Sequence, residues 1–152
     1  MTRLVLVTEI RASAERCFDL SCDIDLHASS QLAAGERAVA GVTSGRIGPG
    51  EQVTWRARHF GIWWRMTSEI VDYERPVRFV DQMRSGPFAA WRHEHRFEPH
   101  GQATRMVDVA DYRVPLGPLG RLLDRLVLAR YMRHLLEVRN QHIKQAAEAQ
   151  PC

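Results

Sequence analysis

A chain of 152 residues fits one domain and is long enough to bury a real core. Its 45% apolar and 26% charged residues are those of an ordinary globular protein, which excludes a disordered chain. The net charge is +3, 20 of the 21 basic residues are arginine, and no block of like charge marks a nucleic-acid tail.

Residues 3–10 (R-L-V-L-V-T-E-I) predict a first strand. Ser13 is placed to cap a short helix from Ala14, with Glu15 favourable in its first turn. A second short helix or turn starts at Asp23-Ile24-Asp25-Leu26 and ends before Gly35. Residues 36–47 read as a weak strand, and residues 44–50 (S-G-R-I-G-P-G) as a loop, either an ordinary hairpin turn or a mobile cover over a pocket entrance. Alternating segments follow, broken at Gly61, Arg75-Pro76, Gly86-Pro87 and Pro99-His100-Gly101. They predict an antiparallel meander. From about Leu119, with Pro118 suited to a helix start, the spacing of Leu122, Leu123, Leu126, Val127, Tyr131, Leu135, Val138 and Ile143 predicts a helix to about Ala147. That helix would be roughly 45 Å long, with Arg121, Arg125, Arg130, Arg133 and Arg139 mostly on its other side. No apolar run approaches the ~20 residues needed to cross a membrane. The apolar stretch near the N-terminus is too short for a signal peptide. Three cysteines (Cys17, Cys22, Cys152) show no metal-type spacing. A reduced, cytoplasmic protein with a short disordered tail over 148–152 is the expectation.

Side chains alternate between the two faces of a strand, and the arginines sort accordingly. Arg56, Arg58, Arg65, Arg78, Arg84, Arg92, Arg96, Arg105 and Arg113 all oppose an aromatic or Met-rich parity. An unpaired buried charge is very costly, so the arginine face is the solvent face. The inward parity then carries His59, Asp81, His93, His95, Asp108 and Tyr112 among Trp55, Trp64, Met66, Phe79, Met83, Phe88, Trp91, Phe97 and Met106. Trp63 falls on the outward parity.

The order of strand, two short helices, meander and long C-terminal helix is joined by specific stretches. These are G-E-Q-V-T-W-R-A-R-H-F-G (50–61), R-P-V-R-F-V-D-Q-M-R-S-G-P-F (75–88), W-R-H-E-H-R-F (91–97) and T-R-M-V-D-V-A-D-Y-R-V-P-L-G (104–117). Over nearly the whole chain this resembles the SRPBCC superfamily of START-related, birch-pollen-allergen-like and polyketide cyclase/dehydrase-like proteins, in its bacterial ligand-binding branch. The resemblance implies one α+β helix-grip domain over residues 1–152, a curved antiparallel sheet of about seven strands wrapped around the C-terminal helix with a hydrophobic cavity between them. It implies no single activity.

The implied ligand is a small hydrophobic or amphipathic molecule, such as a lipid, polyketide, isoprenoid or aromatic. Trp55, Trp64, Met66, Phe79, Met83, Phe88, Trp91, Phe97 and Met106 are its expected walls, with Leu123, Val127, Tyr131 and Leu135 facing them from the helix. Each of these is equally read as plain core. His59, Asp81, His93, His95, Asp108 and Tyr112 form the expected polar patch. If the last two strands pair, residues 93–95 face 106–110, so Asp108 accepts from one histidine and Asp81 from the other. Such a network is structural, ligand-orienting or, in a cyclase/dehydratase, an acid/base set with His93, His95, Asp81 and Asp108 as the candidates. His93-x-His95 also has the form of a metal pair, completed by His59 or a carboxylate. The resemblance implies no metal, and no phosphate loop, dinucleotide fingerprint or nucleophile elbow calls for a cofactor. No nucleic-acid partner and no stable membrane insertion are expected of a monomer or homodimer. A protein-interaction role would need an exposed apolar patch, which the outward strand parity does not supply.

Overall fold

The computed structural model describes residues 1–149. Its strands are β1 (Thr2–Ile10), β2 (Arg37–Gly41), β3 (Gln52–His59), β4 (Ile62–Glu74), β5 (Arg78–Ser85), β6 (Ala90–His100) and β7 (Ala103–Arg113). They form one antiparallel sheet in the order β1-β7-β6-β5-β4-β3-β2, so β2 to β7 is a meander and β1 closes on its last strand. Helices α1 (Ala14–Ser21) and α2 (Ile24–Ser30) follow β1. The C-terminal helix runs without a break over residues 117–148. It comprises α3 (Gly117–Leu123), one π-helical turn (Asp124–Leu128) and α4 (Ala129–Glu148). This is the helix-grip arrangement, seven curved strands around a long helix.

The local signals act as their chemistry requires. The Ser13 side chain accepts the Arg16 N–H, and the Asp23 side chain accepts the Leu26 N–H, each satisfying a free donor of a helix's first turn. His93 lies opposite Ala110, and His95 opposite Asp108, across β6 and β7. None of the nine strand arginines is buried, and several surface arginines hold carboxylates, such as Arg3 with Asp111 and Arg84 with Glu69.

Four features differ from the sequence reading. The weak strand ends at Gly41, not near residue 47. The loop after it is pinned: Ile24 N–H donates to Gly45 O, Ile47 N–H to Cys22 O, and Gly45 N–H to the Asp25 carboxylate. With Ile47 buried, the loop is neither a free cover nor a plain hairpin turn. The C-terminal helix includes Glu148, which bonds Lys144 and the Arg11 N–H, so no tail begins there. Residues 150–152, with Cys152, lie outside the described residues. Finally, Arg139 is buried rather than on the solvent side of the helix.

Two apolar clusters hold the helix to the sheet. One gathers Ile10, Cys17, Phe18, Phe79, Phe97, Met106, Ile143 and Ala147 beneath α1 and the end of α4. The other gathers Leu4, Leu6, Trp91, Ala110, Tyr112 and Leu136 at the β1–β7 side. Phe18 has no exposed surface and meets Tyr73, Phe79 and Phe97 edge-on, with ring centroids 5.1, 5.3 and 5.3 Å away. A β-bulge between Ile70 and Asp72 turns Tyr73 inward to join them. Phe18→Ala is therefore expected to lower stability by about 3–5 kcal/mol in urea unfolding, through lost burial and the cavity left behind. A loss below about 1 kcal/mol would show that the site collapses freely.

Candidate functional site

The inward side chains of β6 read Trp91, His93, His95, Phe97 from one apolar cluster to the other. The two histidines occupy the gap between the clusters. Behind them Asp108, on β7, is completely buried. Its carboxylate accepts from His93 Nε2–H at 2.9 Å and from the Asn140 side-chain amide at 2.7 Å; Arg139 Nη1 lies 3.4 Å away and His95 Nδ1 3.1 Å away. Asp81, opposite His93 on β5, accepts from His95 Nε2–H at 2.8 Å and from the Trp91 indole N–H at 3.3 Å.

The two imidazoles are held differently. A carboxylate can only accept, so His93 carries its proton on Nε2 and its lone pair on Nδ1. That Nδ1 makes no hydrogen bond; the Asp81 carboxylate lies 3.9 Å from it, and it is not sealed from the adjoining cavity. His95 is engaged at both nitrogens, with Arg139 Nη2 3.2 Å from its Nδ1, and its ring stacks on Phe79 at 4.1 Å. Of the pair, His93 is the one that presents a basic atom to open volume.

Burial alone would raise the Asp108 pKa, but the hydrogen bonds from His93 and His95 and the Arg139 charge outweigh it and hold the group well below the ordinary value. Asp81 shows the same opposition, with the His95 hydrogen bond the leading stabiliser, and is also lowered. Burial, assisted by His95, lowers the His93 pKa against the pull of Asp108, so this imidazole is neutral near pH 7.

Above this floor lies a cavity of about 600 Å³ between the sheet and the helix. Trp55, Trp64, Met66, Phe88 and Trp91 line it from the sheet side, and Leu123, Val127, Tyr131 and Leu135 from the helix. Asp81, His93, His95 and Arg139 form a polar floor to it, with Phe79 stacked on His95, and His27, Gln31 and Glu36 add further polar groups to its wall. His59 lines the opposite part of the wall, where Nδ1 meets the Tyr131 hydroxyl. Among the described residues, Asp81, His93 and His95 bring three potential metal-ligand atoms within 4.8 Å of one another. A carboxylate, not His59, thus completes the expected pair, and a cation there would have to displace His95 Nε2–H from Asp81.

The sequence matches the family model described as "Polyketide cyclase / dehydrase and lipid transport" over residues 1–148. The chain belongs to this family. Solved structures carry the same fold. TTHA0849 from Thermus thermophilus is 22% identical with a TM-score of 0.75, over 96% of this chain and 99% of that one. A START superfamily protein from Mycobacterium smegmatis is 17% identical with a TM-score of 0.71, over 95% and 98%. Ara h 8.0201 is 10% identical with a TM-score of 0.73, over 98% and 99%. A search of curated proteins finds no match. These findings place the polyketide cyclase/dehydrase-like chain in the SRPBCC superfamily, whose members generally bind hydrophobic ligands.

Five of the expected wall or patch residues do not reach the cavity of this family member. Met106 is fully buried under α1, with its sulfur 3.7 Å from Ser21 Oγ. Met83 packs beneath the β5–β6 turn, close to Gly86. Tyr112 stacks on Trp91 and donates its hydroxyl to Asp124 at 2.6 Å, tying the helix start to β7. Asp108 stands behind the histidines instead of facing the ligand space. Phe97, too, belongs to the core cluster.

Sequence reasoning missed Arg139 and Asn140. Arg139 follows Leu135 by four and precedes Ile143 by four, so the helical period already placed it on the inward stripe. Treating every arginine as a solvent residue hid that. The π-turn, in which Ala129 N–H bonds Asp124 O, had no sequence signal. Asp124 in that turn is buried and also accepts from the Thr2 hydroxyl.

The carboxylate and histidine shifts act on stability in one direction. Asp108, lowered in the fold, contributes stability above about pH 4 that is lost as pH falls through its folded value. His93 is protonated more readily in the unfolded chain, so stability also declines as pH drops below about 6.5. The thermal midpoint is expected to fall as pH drops below about 6.5, through His93, and to fall further below about pH 4, through Asp108. Asp108→Asn is expected to cost about 3–5 kcal/mol at neutral pH, because it strands Arg139. A flat profile below about pH 6.5 would contradict the assigned charge states.

Proposed function

We propose that this protein binds a small hydrophobic or amphipathic molecule, of the lipid, polyketide, isoprenoid or aromatic class, between the sheet and the C-terminal helix. The apolar part lies against Trp55, Trp64, Met66 and Leu123, and a polar group at its end meets His93 and Asp81. The observation that carries this reading is the cavity itself: about 600 Å³, walled mainly by apolar side chains, with polar groups at the His93–Asp81–Arg139 floor and further ones at His27, Gln31, Glu36 and His59. Pockets of that size and character suit small organic ligands. Affinity comes from apolar burial at roughly 25 cal/mol per Å², and the polar end sets orientation.

One observation favours proton-transfer chemistry as a second reading. His93 pairs Nε2–H with a buried carboxylate and leaves Nδ1 open, the arrangement of an oriented general base. In a cyclase or dehydratase, His93 would take a proton from a carbon or hydroxyl of a polyketide-like substrate, with Asp108 as the positioning residue.

Nile red is expected to bind the wild-type protein, and Ser68→Phe, which places a ring in the cavity from β4, is expected to weaken it at least about tenfold while leaving the fold intact. His93→Ala is expected to leave Nile red affinity unchanged and to weaken a hydroxyl-bearing ligand by about fivefold, the worth of one hydrogen bond. Failure to bind Nile red, with no small molecule carried by the purified protein in native mass spectrometry, would remove the binding reading. For the second reading, His93→Ala must abolish turnover of a bound polyketide without abolishing its binding.

A further inference from the structure

Ten of the seventeen large apolar side chains that face solvent come from two short segments, residues 60–64 and 116–127. The first is the β3–β4 hairpin tip, with Phe60, Ile62, Trp63 and Trp64 exposed. The second is the start of the C-terminal helix. Leu119, Leu122 and Leu126 recur there at helical spacing, are 57%, 52% and 62% exposed, and do not line the cavity, whereas Leu123 and Val127 of the same helix do. Both segments border the cavity, through Phe60 and Trp64 and through Leu116, Leu123 and Val127, and the Phe60 ring lies 4.6 Å from that of Tyr131, one turn further along the helix. The backbone exposes two of these side chains at some strain. Phe60 (φ 53°) and Leu116 (φ 73°) are the described non-glycine residues with positive φ, a region bulky side chains seldom adopt.

Apart from Glu36, which borders the same cavity and pairs with His27, the charge around this rim is one-sided. Residues 113–133 carry five arginines and one acid, the buried Asp124, and residues 56–65 carry three arginines and no acid. Elsewhere most surface arginines hold carboxylates, such as Arg3 with Asp111, Arg75 with Asp19 and Arg105 with Glu9. Among the described residues, Arg58, Arg65, Arg121, Arg125 and Arg130 pair with no carboxylate within 4.0 Å. An apolar stripe flanked by unpaired arginines matches an anionic lipid surface, with leucines among the acyl chains and guanidinium groups at the headgroups. A second copy of the chain would bring Arg121 and Arg125 against more arginine, so charge disfavours self-association here.

We propose that the mouth of the cavity docks peripherally on anionic lipid bilayers, through Leu119, Leu122, Leu126 and the hairpin tip, with Arg121 and Arg125 on the headgroups. Docking puts the opening against the hydrocarbon, so that a ligand of low water solubility passes between bilayer and cavity without crossing water; this passage rests on the pocket reading above, whereas the docking itself does not. No described helix is long and apolar enough to span a membrane, so the attachment is peripheral.

The test is vesicle flotation, comparing phosphatidylcholine with phosphatidylcholine–phosphatidylglycerol vesicles. The protein is expected to float with the anionic vesicles and to be released as salt rises. Leu122→Asp/Leu126→Asp and Arg121→Glu/Arg125→Glu are each expected to weaken binding at least about tenfold, since one arginine near an anionic surface is worth about fivefold. Nile red binding should stay unchanged in both, because these residues lie off the cavity wall. The proposal is overturned by no flotation, by equal flotation with neutral vesicles, or by variants that float like the wild type. It is equally overturned by a wild-type dimer that the same variants dissociate, or by a protein partner whose capture they abolish without any effect on flotation. Flotation without Nile red binding would sustain docking while removing the pocket reading.

Discussion

A carboxylate with no contact with water is tolerable only where hydrogen bonds and opposite charge replace its hydration. Asp108 is such a group, and the architecture around it follows from that need. His93 satisfies it from the neighbouring strand, and Arg139 and Asn140 reach it from consecutive positions on the long helix. The network therefore ties β6, β7 and α4 at one point between two apolar clusters, each of which would otherwise position the helix separately. It also sets the protonation pattern of the cavity floor, because the histidine that donates to Asp108 must turn its other nitrogen away.

The cavity is the complement of that attachment. Beyond Asp108 the helix is fastened to the sheet by Ile143 and Ala147, and on the other side by Leu136, while its first turns stand away from β3 and β4. Tyr112 and Thr2 hold the helix start by drawing Asp124 inward, and the turn containing Asp124 is the π-helical one. A π-turn inserts one extra residue into the helical repeat. Over these turns Leu123 and Val127 border the cavity while Leu119, Leu122 and Leu126 face solvent.

The polar and apolar ends of the site have different tasks. The floor is rigid, with every buried side-chain polar atom satisfied among the described residues, so it suits orientation of a ligand group. The rim is apolar, exposed and basic, so it suits contact with whatever holds the ligand before binding. Neither task requires the convex arginine face of the sheet, whose ion pairs keep it solvated.

Much of this was readable from the sequence, for identifiable reasons. Strand parity has a period of two, so the arginines fixed the outer face and W-R-H-E-H-R-F declared its aromatic and histidine face as inward. The family-like order of elements and the β6–β7 register followed, and with them the pairing of the two histidines with Asp81 and Asp108. What parity cannot report is depth. Met106, Met83, Tyr112 and Asp108 share the inward face with Trp55 and His93, yet only packing from α1, the helix start and the β5–β6 turn decides which of them border open space. Charge was equally silent on Arg139, since its burial depends on a carboxylate 31 residues away in the chain. The exposed rim was hidden because a turn and the first turns of a helix create it, not a strand face. The sequence by itself determined the sheet, its two faces and the identity of most of the buried ionisable groups, because these depend on local periodicity and the cost of burying charge. Only the tertiary structure decided the cavity, the open nitrogen of His93 and the apolar mouth, because these depend on where distant elements fail to fill the space between them.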